Sequence, residues 1–399
     1  MSDPREHINR QAVLEAITQP PFEELRGRAR QRRRRRSTVT VAALALVTAG
    51  FGVPVLAGQT GEEPSAGKVD TGPARSPTGW HFLDTRHGVV SYAEPAPSGE
   101  DGCRATVRVT DDGGRTWSGP RKAPCRPDGP GDPRQFVLML DSHTILTFAP
   151  DGAYHISHDA GRTWRPHQVE TGVADRIPVW TEVVHGCIDS TACRDPGQLR
   201  WYDPATGNRV QLRNGPDLER VLSTPSWGRD GSLWVPGRTS DGQYAVAVSR
   251  DQGRTWQTQP IGLKVDSRDD ATSGLMVATR DGRRAYAVRD DMTLDNVLFR
   301  TVDGGRNWRR VTTDAEPHSP YNWLTGYVAA DGTLVLETSG HAWPWQASRD
   351  DGRTVTALPD FPPFSQVFVV AGGYVRGSDQ GREIHVSEDG LHWRKVKFP

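Results

Sequence analysis

One octet organises most of this sequence. Thr110-Asp-Asp-Gly-Gly-Arg-Thr-Trp117 returns as Ser157-His-Asp-Ala-Gly-Arg-Thr-Trp164, Ser249-Arg-Asp-Gln-Gly-Arg-Thr-Trp256 and Thr301-Val-Asp-Gly-Gly-Arg-Asn-Trp308. Ser348-Arg-Asp-Asp-Gly-Arg-Thr-Val355 has lost the tryptophan, and Ser387-Glu-Asp-Gly-Leu-His-Trp393 is one residue short. The copies start at 110, 157, 249, 301, 348 and 387, so the gaps are 47, 92, 52, 47 and 39. The gap of 92 is twice 46, which asks for a degenerate copy near residue 203. Leu199-Arg-Trp-Tyr-Asp-Pro-Ala-Thr-Gly-Asn-Arg-Val210 fits there as strand, turn and strand without the signature. Self-similarity at this period marks a repeat architecture, and the count is seven units.

The chemistry of the octet is local. Ser or Thr ends one strand, and the Asp carboxylate can accept from backbone amides of the turn. The Gly supplies a positive φ, and Thr-Trp opens the next strand with the indole over its own hairpin. Asp151-Gly152, Asp230-Gly231, Asp241-Gly242, Asp281-Gly282 and Asp331-Gly332 add tight turns between short β-rich runs such as Tyr244-Ala-Val-Ala-Val. No segment after residue 62 keeps a 3.6-residue period. Four short strands in about 46 residues make a propeller blade. The expected fold is therefore all-β, a seven-bladed β-propeller over 79–399, with six blades as the alternative. A hydrophobic content of only 35% suits such half-buried strands. No strand is left over at either end to close the ring by exchange.

The net charge of zero conceals a division. Residues 1–36 carry ten arginines and five acids, a balance of +5, so the remainder carries −5. Residues 37–58 are uncharged and apolar, long enough to span a bilayer, and preceded by five consecutive arginines. That flank keeps 1–36 cytoplasmic and sends the rest of the chain outside. The expected layout is a basic tail, a transmembrane helix over 37–58, a Gly/Pro/Ser-rich linker over 59–78, and the propeller. The alternative is secretion after cleavage near Ala57, since Val55-Leu-Ala57 is an acceptable site. The membrane is thus the expected partner of 37–58, and nucleic acid is not expected. Four cysteines in an exported domain point to two local disulfides, Cys103 with Cys125 and Cys187 with Cys193. Their spacing is not that of a zinc site, and no metal or other cofactor is expected.

The octets resemble the Asp-box, or BNR, repeat, Ser-x-Asp-x-Gly-x-Thr-Trp. The resemblance covers about 320 residues. It implies kinship with a superfamily of sialidases, seven-bladed glucanases, sortilin-type receptors and photosystem II stability-type assembly factors. It also implies a structural role, away from any catalytic face, for the aspartates Asp112, Asp159, Asp251, Asp303, Asp350 and Asp389. The same holds for Trp117, Trp164, Trp256, Trp308 and Trp393. A sialidase of this type needs three arginines for a substrate carboxylate, a Tyr–Glu pair and an acid/base aspartate. Arg176, in Asp175-Arg-Ile-Pro178, and the nearby Glu182 are the candidates if the chain is sialidase-like. The glucanases need a second propeller. Eight of the 13 tryptophans lie outside the octets. Among them, Trp323 with Tyr321, and Trp343 with Trp345, sit beside proline or in non-repeat sequence, as aromatics of a binding face do. The leading expectation is an extracytoplasmic module that binds a protein or glycan. The alternatives are a sialidase-like exo-glycoside hydrolase and a signalling partner acting through the arginine-rich tail.

Overall fold

Alternating burial along short strands leaves every sheet with two faces to cover, and a ring of sheets covers both. A computed structural model of the chain describes residues 77–95, 103–125, 136–148, 154–185, 197–264, 274–290, 297–314, 323–338, 345–358, 361, 365–378 and 383–399. They form seven separate sheets, each a blade. Blade 1 runs from centre to rim as Gly79–Phe82, Gly88–Pro95, Cys103–Thr110 and Arg121–Ala123, all antiparallel. Blades 2, 5, 6 and 7 repeat this order over 136–167, 274–311, 323–357 and 365–395. In blade 4 the inner strand is split into Arg220–Val221 and Ser226–Trp227, both paired to Leu233–Arg238. Pro225, which has no amide to donate, falls in the break. Seven blades, not six, make the ring.

Blade 3 departs from the pattern. Its inner three strands are Val184–His185, Leu199–Tyr202 and Arg209–Leu212, so the degenerate copy near 203 is a real unit. Its rim strand, Thr171–Ala174, comes from the chain before the blade and pairs parallel to Arg209–Leu212.

The core is divided in the same way as the ring. The described residues contain seven buried apolar clusters, one for each blade–blade interface. Strand periodicity feeds them. Leu233, Val235 and Ala245 face blade 3, whereas Trp234, Tyr244 and Val246 face blade 5.

Each octet forms one corner. In the first, Asp112 Oδ1 accepts from the Thr110 hydroxyl at 2.8 Å and from the Arg115 and Thr116 amides at 2.9 Å, while Oδ2 accepts from the Thr116 hydroxyl at 2.6 Å. Asp159, Asp251, Asp303 and Asp350 repeat this net, and Asp389 makes a shorter version. The glycine at the fifth position has positive φ, as expected. The fourth position does too, even where it is not glycine: Ala160 (59°), Gln252 (66°) and Asp351 (67°).

That second left-handed residue turns the corner outward, toward the preceding blade. Gly113 O accepts from Arg394, Ala160 O from Arg121, and Gly304 O from Arg250. The Asp351 carboxylate takes Tyr286 and Arg300 at 2.9 and 2.6 Å. Three corner indoles do likewise. Trp117, Trp164 and Trp256 cover their own corner glycines, Gly114, Gly161 and Gly253. Trp117, Trp164 and Trp256 also donate from Nε1 to Lys397 O, Lys122 O and Asn214 O of the blade before, each at 2.9 Å. The ring closes between blades 7 and 1 by such contacts, with Trp80 edge-on to Phe368 at 5.6 Å and a bridge between Asp84 and Ala371, and among the described residues no strand is exchanged between the two blades.

Cys103 and Cys125 are bridged across the ends of two blade 1 strands. Cys187 and Cys193 lie outside the described residues, as does 37–58. Among the described residues no helix is long and apolar enough to cross a membrane.

Candidate functional site

Antiparallel order places two turns of every regular blade at the same end of the ring: the octet corner, and the turn after the inner strand. The inner turns carry their own aspartates. Asp84, Asp141, Asp281 and Asp331 cap them through backbone amides, and Asp230 does so through the Ser232 amide and hydroxyl. In blades 4 and 5 the residue before that aspartate is arginine, giving Arg229-Asp-Gly231 and Arg280-Asp-Gly282. The Arg229 amide donates to Arg280 O at 2.7 Å, which holds the two turns side by side.

These turns border a cavity of about 270 Å³ lined by Trp180, Trp227, Arg229, Thr279, Arg280, Val369, Val370, Gly372, Gly373 and Tyr374. Trp180 comes from the segment leading into blade 3 and Tyr374 from blade 7, so the cavity draws on several blades. The rings of Trp180 and Trp227 lie 6.5 Å apart, and Trp227 Nε1 donates to Thr181 O at 3.0 Å. Trp180 has φ 66°, and it is the single described non-glycine outside the corners with positive φ. A bulky residue resists that conformation, so the surrounding bonds must hold it there. The Tyr374 hydroxyl donates to Val328 O at 2.6 Å. Burial pushes its pKa up, against the opposing pull of the Arg229 and Arg280 charges.

Arg176 and Glu182 are not joined to each other. Arg176 is exposed beside Ile177, whose amide donates to Gln252 O of blade 4. Glu182 receives His81 Nε2 at 2.7 Å, and His81 Nδ1 accepts from the Met139 amide at 3.1 Å. Burial works against ionisation of Glu182, but the hydrogen bond and charge of His81 outweigh it and hold the carboxyl below its ordinary value. A carboxylate committed in this way acts as a clasp between the inner strand of blade 1 and the segment before blade 3.

Of the aromatics expected on a binding face, Tyr321 and Trp343 lie outside the described residues, and Trp323 is described only as the first residue of the inner strand Trp323–Val328. Trp345 is fully buried between Tyr327 and Phe361, at 6.3 and 5.5 Å. It is a core residue of the blade 6–7 interface, with no surface for a ligand to reach. Among the described residues no cluster of three or more His, Cys, Asp or Glu is placed to hold a metal ion.

No protein-family model matches the chain. A xyloglucanase of a Paenibacillus species is 24% identical over 247 residues, covering 59% of this chain and 22% of the relative. Lipoprotein LpqB of Mycolicibacterium smegmatis is 31% identical over 140 residues, 35% of this chain and 22% of the relative. A sialidase of Micromonospora viridifaciens is 25% identical over 281 residues, 65% of this chain and 42% of the relative. The chain therefore spans 22% to 42% of the length of these curated relatives. Among solved structures, YCF48 bound to a D1 peptide is 17% identical with a TM-score of 0.35, covering 65% of this chain and 88% of that one. A prolyl endopeptidase structure is 14% identical with a TM-score of 0.45, covering 80% and 49%. Seven blades turned at Asp-box corners make this chain a BNR-repeat β-propeller.

Proposed function

We propose that the propeller is an extracytoplasmic binding module, tethered through residues 37–58, that holds a protein or glycan ligand in the cavity framed by Trp180, Trp227, Arg229, Arg280 and Tyr374. One observation carries this reading. Aromatic and guanidinium groups from several blades converge on a cavity whose backbone is strained at Trp180. Strain of that kind costs about 1–3 kcal/mol and gathers at ligand sites. The export half of the reading is supported by the arginine-flanked apolar segment, by the Cys103–Cys125 bridge, and by the similarity to a lipoprotein.

The test is ligand capture by the purified full-length protein against an array of peptides and oligosaccharides, beside a Trp180→Ala variant. The reading requires at least one ligand whose binding the variant abolishes. An array without hits, or hits indifferent to Trp180, would refute it.

The similarity to a sialidase favours a second reading, a sialidase-like hydrolase. Against it, Glu182 is occupied by His81. Turnover of a fluorogenic sialoside, lost in Arg176→Ala, would establish the hydrolase and displace the first reading.

A further inference from the structure

We propose that the cavity recognises the free C-terminal carboxylate of a peptide whose last side chain is apolar, with Arg229 and Arg280 gripping the carboxylate. This deepens the binding reading and rests on it.

The two guanidiniums are available. Among the described residues neither Arg229 nor Arg280 donates a side-chain hydrogen bond or forms an ion pair. Arginines elsewhere at this end of the ring, Arg121, Arg250, Arg300 and Arg394, are spent on neighbouring corners. The acids beside them in the chain are engaged on their own turns. Asp230 turns its Oδ1 onto the Ser232 amide and hydroxyl, and Asp281 accepts from the Arg283 and Arg284 amides. Two planar forks on adjacent turns suit a carboxylate, which each can meet with two N–H groups.

The 2.7 Å bond from the Arg229 amide to Arg280 O sets the backbones that carry the two arginines side by side. Arg229 and Arg280 line the cavity together with Tyr374, so the two arginines and the phenol border one space.

The remaining lining decides what carries the carboxylate. Trp180, Trp227, Val369 and Val370 are apolar surfaces, and Thr279 Oγ1 is already donating to Arg284 O at 2.9 Å. A neutral sugar would leave both guanidiniums without a charged partner and its hydroxyls against the indoles and valines. An apolar terminal side chain needs none. The volume, about 270 Å³, lies near the lower edge of ordinary ligand pockets and suits one terminal residue better than a long segment. Capture of a terminal carboxylate by a preset cationic or amide cradle is an established recognition mode.

The experiment uses the full-length protein and N-acetyl heptapeptides ending in Val, Leu or Phe, each made as free acid and as C-terminal amide. Affinity is read by tryptophan fluorescence and calorimetry. At least one free acid should bind ten-fold or more tighter than its amide. Arg229→Gln and Arg280→Gln should each erase that ratio while leaving the thermal midpoint unchanged, since neither side chain makes a hydrogen bond or ion pair among the described residues. Equal binding of acid and amide, lost in Trp180→Ala, would overturn the carboxylate assignment and leave the binding module standing. Binding of a uronic-acid oligosaccharide in place of every peptide would overturn the peptide assignment. No binding of any peptide would overturn the proposal outright.

Discussion

Trp117 donates its indole N–H to the carbonyl of Lys397 at 2.9 Å, joining residues 280 apart in the chain. The bond lies on the seam between blades 1 and 7, which no shared strand secures. Trp117 also stands edge-on to Phe82 at 6.4 Å, and Arg394 reaches across to Gly113 O. Trp117→Phe should cost about 1 kcal/mol for the lost hydrogen bond. Trp117→Ala should cost on the order of 3 kcal/mol, as large core truncations do. Urea unfolding of both variants is the measurement, and an unchanged Trp117→Ala midpoint would remove the seam role.

Left-handed backbone at the fourth corner position is a cost for any side chain that does not use it. Ala160→Gly and Gln252→Gly should each stabilise by a few tenths to about 1 kcal/mol. Asp351→Gly should instead destabilise, because it strips Tyr286 and Arg300 of their acceptor. Thermal melts of the three variants should therefore move in two directions.

The corner carboxylates predict an acid limit. The Asn307 side chain and three further donors hold Asp303 at about 2. At Asp159, burial opposes ionisation, but hydrogen bonds from Thr163, Ser157 and Arg162 prevail and hold it at about 2. Each pKa is lower folded than unfolded, so the unfolded chain binds more protons as pH falls. The stabilisation is complete above the unfolded value near 4 and disappears through the folded one. The share of the melting temperature owed to these carboxylates should be constant from about pH 7 to 5 and fall between about pH 4 and 2. Asp159→Asn with Asp303→Asn should lower the plateau and flatten that fall, and an unaltered slope would point to other groups.

The Cys103–Cys125 bridge closes a loop with a sequence separation of 22. A constraint of that length on the unfolded chain is worth about 3 kcal/mol. Reductant should lower the melting temperature of the wild-type protein, and it should do so less in the Cys103→Ser, Cys125→Ser variant, which starts lower.

Arg376 is fully buried in blade 7, and among the described residues its three guanidinium nitrogens have no hydrogen-bond partner. It lies over the rings of Trp393 and Phe361, 4.8 and 5.3 Å from their centroids. Burial lowers its pKa to about 10. Aromatic faces compensate a buried cation only partly. Arg376→Met should leave stability unchanged or raise it, whereas Arg376→Ala, which opens a void, should lower it. A large loss in Arg376→Met would show that the charge itself is needed.

The corners were legible because their chemistry is local: a hydroxyl, a carboxylate and a glycine within five residues specify the turn wherever it occurs. Blade number followed from spacing, through the doubled interval that pointed to Leu199–Val210. The second left-handed residue was hidden, because Ala160 and Gln252 carry no preference for that conformation. Trp345 looked like a surface aromatic beside Pro344, but strand alternation turns it inward. The cavity was hidden for a different reason. Its walls span Trp180 to Tyr374, and only folding brings them together. One trace of it was present in the sequence, the tripeptide Arg-Asp-Gly at 229–231 and again at 280–282, which places an arginine at the same point of two adjacent blades.

The rim strand Thr171–Ala174 has a bearing on how such a ring can be lengthened or shortened. Around blades 4 to 7, one sequence repeat supplies one whole blade, so a repeat could be inserted or excised there as a cassette. Between blades 2 and 3 the phase slips, because the segment that finishes one blade also supplies the edge of the next. Cutting out residues 136–174 as one repeat would strip blade 3 of its rim strand. That junction is a point where this propeller resists evolution by duplication.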